Sequence, residues 1–175
     1  MNKGTTRRTQ EPVAASRTTD PRMPLLLAML DEAYDRPAWH GPNLRGSLRR
    51  MTAREAAWRP APGRHNIWEI AVHAAYWKYA VRRRLTGEKR GSFPLKGSNW
   101  FERPATGGTG SWEDDLRLLD AMHRALRDAV AGLRGADLVR VPPGGRNSVA
   151  RLVAGAALHD VYHAGQIRGI KRLMP

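Results

Sequence analysis

Two histidines four residues apart, His159 and His163, and a third far upstream, His73, are the side chains of this sequence best placed to do chemistry. At positions i and i+4 of a helix, side chains emerge on one face, one turn apart. The face that carries His159 and His163 also carries Leu152, Ala156, Ile167 and Ile170, so it reads as the buried stripe of its helix, with both rings turned inward. His73 is placed in the same way, with Ile70 and Trp77 as neighbours. Inward imidazoles are costly to bury unless each finds a partner. A divalent metal ion satisfies all three, each neutral ring giving one nitrogen lone pair, and the small Ala156 leaves room for it. Three histidines with an open position is the arrangement of a catalytic rather than a structural zinc-type site. The competing reading makes each histidine a hydrogen-bonded core residue.

The neighbouring residues sharpen the choice. Gln166 stands one turn beyond His163 and can hydrogen-bond a ligand ring or a metal-bound water, or simply supply polarity near a helix end. Tyr162 and Asp160 flank the pair rather than sharing its face. His40 and His65 lie in turns, and His123 is isolated on its helix. The stretch His159 to His163 also matches half of a metalloprotease helix motif, which needs glutamate directly after the first histidine as general base. Asp160 is one methylene shorter and no glutamate third ligand is evident, so a protease is set aside. Cysteine is absent, which removes disulfides, thiolate ligands and a cysteine nucleophile together. Any thiolate must therefore arrive on a cosubstrate.

Helices must position these residues. The first is expected from about Pro24 to Arg36, with Leu26, Leu27, Leu30 and Tyr34 on one side, and Pro37 and Gly41-Pro42 break it. Helical segments over Asn43 to Met51 and Thr52 to Trp58 follow, the latter with the capping-box spacing Thr52 and Glu55. The second long helix spans Ile67 to Leu85, opened by Asn66 and Glu69, with Ile70, His73, Trp77 and Val81 on one face. Residues 87 to 110 form a connection too long to be structureless without a purpose. It suits a crossover of about 30 Å that brings the next helix back parallel, and Trp100 and Phe101 within it are placed to cover an open coordination position. The third long helix runs from Ser111 to about Leu133, and the fourth from Asn147 or Ser148 almost to Pro175. The class is all-α, a four-helix bundle over residues 21–175, after a polar tail at residues 1–20.

Composition bounds the rest. A chain of 175 residues with 41% hydrophobic content suits one domain with a real core. No apolar run approaches the roughly 20 residues that span a bilayer, and Leu25 to Leu30 runs straight into Asp31-Glu32, so no membrane segment or export signal is expected and the cytoplasm is the default. The net charge of +14 attracts polyanions in principle. Its arginines are scattered, however, and Arg82-Arg83-Arg84 points three ways at a helix end, so the charge reads first as a solvated basic surface.

Trp68-Glu69-Ile70-Ala71-Val72-His73 on one helix and His159 to Ile167 on the last, with Ala57-Trp58-Arg59-Pro60 before the former, resemble the signatures of the DinB-like superfamily over roughly residues 23 to 175. The resemblance implies a bundle of up-down-down-up topology with a long crossover between its second and third long helices. It also implies a metal held by His73, His159 and His163, commonly nickel, zinc or manganese, and frequent homodimers. Characterised relatives include thiol-dependent transferases and isomerases that use bacillithiol or mycothiol, while many members have no assigned reaction. The expected function is therefore a metal-dependent enzyme of the thiol-transferase or hydrolase type acting on a small molecule, with a low-molecular-weight thiol as a candidate cosubstrate. Gln166 and Tyr162 are its subsidiary site residues. The alternatives are a basic nucleic-acid-binding protein of the stress response and a catalytically silent bundle stapled by its metal.

Overall fold

The apolar stripes become helices in the computed structural model, which describes residues 20–103 and 111–175. In chain order these are α1 (Arg22–Tyr34), α2 (Leu44–Ser47), α3 (Ala53–Ala57), α4 (Ile67–Thr86), α5 (Trp112–Ala131) and α6 (Val149–Leu173), with a single 3-10 turn at Gly135–Val139. Among the described residues there is no strand, and no helix is long and apolar enough to cross a membrane. The tail expectation falls almost wholly on residues 1–19, and the end of the long connection on residues 104–110, both outside the described residues.

Local chemistry sets the boundaries. Thr52 and Glu55 close a reciprocal capping box on α3, and Asn66 and Glu69 close another on α4. Ser111 and Ser148 cap α5 and α6. Gly87, with φ +77°, ends α4 in the left-handed conformation that a Cβ would disfavour. Two expected segments have other bounds: the first helix keeps its expected length of 13 residues but begins two residues earlier, at Arg22, and the second segment is shorter. The first helix ends at Tyr34, since the residue before Pro37 disfavours helical backbone. The segment at Asn43 to Met51 is only one turn, α2, because Arg50 takes φ +59° and helix cannot pass through it.

Side-chain pairings give the relative sense of the long helices. Trp68 reaches Asp115 and Lys78 reaches His123, so α4 and α5 ascend together. Asp31 meets Arg127 while Tyr34 meets Asp120, so α1 runs against α5. His73 lies with His163 while Trp77 and Arg84 lie toward Leu158 and Arg151, so α4 and α6 are opposed. The described part of the connection after α4 is tied down. Phe93 and Phe101 are buried against Tyr76, and Arg103 forms a two-pronged pair with Asp115 at 2.7 and 2.8 Å.

The core divides into two apolar clusters. Between them lies a polar layer that the helix spacing did not announce. Lys78 and Asp160, 2% and 1% exposed, form an ion pair across α4 and α6. The Lys78 ammonium also lies 3.5 Å from His123 Nδ1 and 4.7 Å from the centre of the Tyr34 ring, which stacks on His123 at 3.8 Å. Tyr34 donates to Asp120, which Arg45 holds at 2.9 Å. The layer thus engages α1, α2, α4, α5 and α6 at once. Asp160 Oδ1 accepts no hydrogen bond from the protein. Asp160 lies off the histidine face, as expected, but the buried stripe of α6 differs from the expected one: it comprises Val149, Val153, Ala156, Ala157, Asp160, His163, Ala164 and Ile167, whereas Leu152, Ile170 and His159 are only half-buried.

Burial, and then the charge of Lys78, push the His123 pKa down to about 3. The unfolded chain holds a proton on this ring below about pH 6.5, whereas the folded chain does not. Folding stability is therefore fully present above pH 6.5 and falls as the pH drops through the window down to about 3. Thermal melts between pH 7 and pH 5, above the range where carboxylates titrate, should show a falling Tm. In His123→Phe, which keeps the stack on Tyr34 without a titrating group, the fall should be visibly shallower.

Candidate metal centre

The three histidines meet near the junction of α4 and α6. His73 Nε2 lies 3.2 Å from His159 Nε2, which lies 3.0 Å from His163 Nε2. One ligand atom from each of the three fits within 4.8 Å of the others. Two nitrogens bound at about 2.05 Å to one ion stand ~2.9 Å apart at a right angle and ~3.3 Å apart at the tetrahedral angle. The observed spacings fall in that interval.

Hydrogen bonds on the outer side of two rings decide what the inner nitrogens present. His73 Nδ1 donates to the backbone carbonyl of Asn99 at 2.8 Å, and a carbonyl only accepts. His163 Nδ1 donates to Gln166 Oε1 at 2.7 Å, and the Gln166 amide in turn donates to the Tyr162 hydroxyl at 2.9 Å. With the proton held at Nδ1, a neutral ring turns an Nε2 lone pair toward its neighbours. Lone pairs from His73 and His163 therefore converge on His159, which has at most one proton to offer. A cation resolves that arrangement for all three rings, so the donor set fits a metal ion.

The rings are also held neutral. Burial pushes the His159 pKa down to about 3, with His163, His73 and Lys78 adding to the effect. Burial lowers His163 to about 4, against the opposing bond from Gln166. It lowers His73 too, more than the Asn99 carbonyl raises it.

The sequence expectations for this region divide. Gln166 and Tyr162 do connect to the site, Gln166 directly on His163 and Tyr162 through Gln166. Of the two aromatics expected over an open coordination position, Trp100 lies flat on the ring of His73 at 3.9 Å, and Phe101 turns into the core instead. His65 is more than a turn residue. It stacks on the opposite face of Trp100 at 3.6 Å, and its Nδ1 lies 3.0 Å from Glu69. Glu69 also takes the Arg59 guanidinium, and these two partners outweigh burial to hold its carboxyl below the usual range. A chain of contacts thus leads from Arg59 through Glu69, His65 and Trp100 to His73, giving a physical reason why the segments around Arg59 and Glu69 accompany the histidine.

Asn99 was not anticipated. Its carbonyl holds His73, and its side-chain oxygen accepts from the Trp77 indole at 2.9 Å, both from a left-handed backbone with φ +66°. The available hint was an asparagine after Gly97-Ser98, since asparagine tolerates that conformation better than most residues. Asn99→Gly should keep the carbonyl in place and lower metal affinity little. Asn99→Val strains the left-handed backbone by about 1–2 kcal/mol and should lower affinity roughly 10- to 100-fold. A chelator-competition titration of both variants checks this.

The comparisons agree with the geometry. The family model described as DinB superfamily matches residues 38–167, a span that holds all three histidines together with Arg59, Glu69, Asn99 and Gln166. No curated protein and no solved structure matches the chain. The matched span covers well over half of the sequence and is narrower at both ends than the resemblance read from the motifs. With its helical bundle and its cluster of three histidines able to hold a metal ion, the chain belongs to the DinB superfamily.

Proposed function

We propose that the protein is a metal-dependent enzyme acting on a small molecule, of the thiol-transferase or hydrolase type, with zinc, nickel or manganese held by His73, His159 and His163. The observation that carries this reading is the pair of outer hydrogen bonds, from His73 to Asn99 and from His163 to Gln166, which fix the proton away from the inner nitrogens. A metal bound there lowers the pKa of a coordinated water or thiol and so supplies a nucleophile near neutral pH. The chain's own residues then orient and shield. Trp100 covers one face of His73 and keeps water from it, while Asn99 and Gln166 hold the rings in register. With no cysteine in the sequence, a sulfur nucleophile comes from a cosubstrate, and the reducing cytoplasm is the compartment that suits it.

The nucleic-acid reading has less support. In the arginine run at the end of α4, Arg82 is paired with Glu88 at 2.6 Å and Arg83 bonds the Glu88 carbonyl, so the run is partly committed within the protein. The test of the leading reading is spectroscopic. Cobalt-loaded protein titrated with low-molecular-weight thiols should develop a sulfur-to-cobalt charge-transfer band, and loaded protein should turn over a thiol–electrophile pair or an ester or amide. No band with any thiol, together with no turnover across both panels, would sink the proposal.

A further inference from the structure

Beside the histidine cluster a groove runs between α4 and α6 that the metal reading leaves without a role. It encloses about 380 Å³ and has His159 in its wall at one end. That volume falls in the range of small-molecule sites. Its sides are Trp77 and Val81 from α4, and Leu152, Ala156 and Leu158 from α6. At the far end stand Arg84 and Arg151, and neither forms an ion pair among the described residues. The first turn of α6 also lies at that end, where the helix dipole favours negative charge. From Arg151 to His159 is eight residues of helix, or about 12 Å.

We infer that this groove binds an amphipathic anion, with its carboxylate or similar head on Arg84 and Arg151 and an apolar body of about seven carbons along Trp77, Val81 and Leu152, its other end beside His159. The inference rests on the proposed metal-dependent activity only in making that far end the reacting end. Binding itself belongs to the groove. Charge complementarity selects the head, since two arginines without carboxylate partners face a cavity whose walls are otherwise largely apolar. Lys78 and Asp160 also border the groove but neutralise each other. The distance between the arginines and His159 selects the length. A shorter anion leaves part of the apolar wall wet, and a longer one runs past His159.

Calorimetric titration of the full-length protein with straight-chain carboxylates from butanoate to dodecanoate tests this directly. Affinity should rise roughly fourfold per methylene, the increment for burying one CH₂, and level off near octanoate. Arg84→Gln/Arg151→Gln should weaken octanoate binding about tenfold or more, whereas Arg49→Gln/Arg124→Gln, the same charge change elsewhere, should leave it unchanged. Affinity without chain-length dependence, or an equal loss in both double variants, would overturn the site and show attraction by net charge alone. His159→Ala/His163→Ala should still bind octanoate, so failure of the metal reading is separable from failure of the groove. In metal-loaded protein, 8-sulfanyloctanoate should bind at least tenfold more tightly than octanoate, and in metal-free protein equally. Equal binding in both forms would overturn the link between the groove and the histidines.

Discussion

Purified without a histidine tag, the protein should carry close to one divalent ion per chain, and His159→Ala/His163→Ala should carry none. Mass spectrometry of bound metals reads this outcome directly. The stability of the two proteins should diverge in a way that mere loss of core contacts cannot produce. In the metal-free wild type the Nε2 atoms of His73 and His163 both present lone pairs toward His159. Removing two rings relieves that conflict, so the metal-free variant should melt close to, or above, the metal-free wild type. Loaded wild type should melt well above both, because an ion present at a thousand times its Kd stabilises the folded state by about 4 kcal/mol. A wild type that takes up no metal even after reconstitution would make the histidines polar core residues, and the charge-based binding readings would come forward.

Lys78→Met should lower stability by about 3–5 kcal/mol, the cost of leaving one member of a buried ion pair without its partner. Asp160 is 1% exposed, and burial pushes its pKa up while Lys78 pulls it back. Without Lys78 the carboxylate is left buried with no opposite charge, and it must take a proton or bring in water. For a chain of this size the corresponding fall in Tm is on the order of 10 °C. Lys78→Met/Asp160→Leu should recover most of that loss, since replacing a whole buried pair with apolar groups is often neutral. Denaturant unfolding of both variants provides the numbers. A single variant within 1 kcal/mol of wild type would mean that the pair contributes little beyond filling space.

These expectations differ in how far they could be seen from the sequence. The three histidines were found from spacing alone, because helical periodicity puts His159 and His163 on one face and His73 on the inward side of its own helix. Gln166 followed from the same rule, one turn on. Lys78 and Asp160 also sit at the centres of apolar stripes, Ala71, Ala74, Lys78, Val81 and Leu85 on α4 and Val153, Ala157, Asp160 and Ala164 on α6. Periodicity marks each as an anomaly without saying that the two would meet. Their distance in the chain is 82 residues, and only the packing of α4 against α6 makes them partners.

The helices, their caps, the lack of cysteine and the inward lean of each histidine were legible in the chain, because all of these are local: capping boxes, 3.6-residue periodicity and composition act within a few residues. Long-range packing was needed to bring His73 to His159, to turn one nitrogen of His73 inward, to sandwich Trp100 between His65 and His73, and to set Arg84 and Arg151 at the far end of a groove from His159. Each depends on where the connection after α4 lies or how two distant helices dock. Such placements are fixed by the combined burial and hydrogen bonding of residues far apart in sequence, which no local pattern encodes.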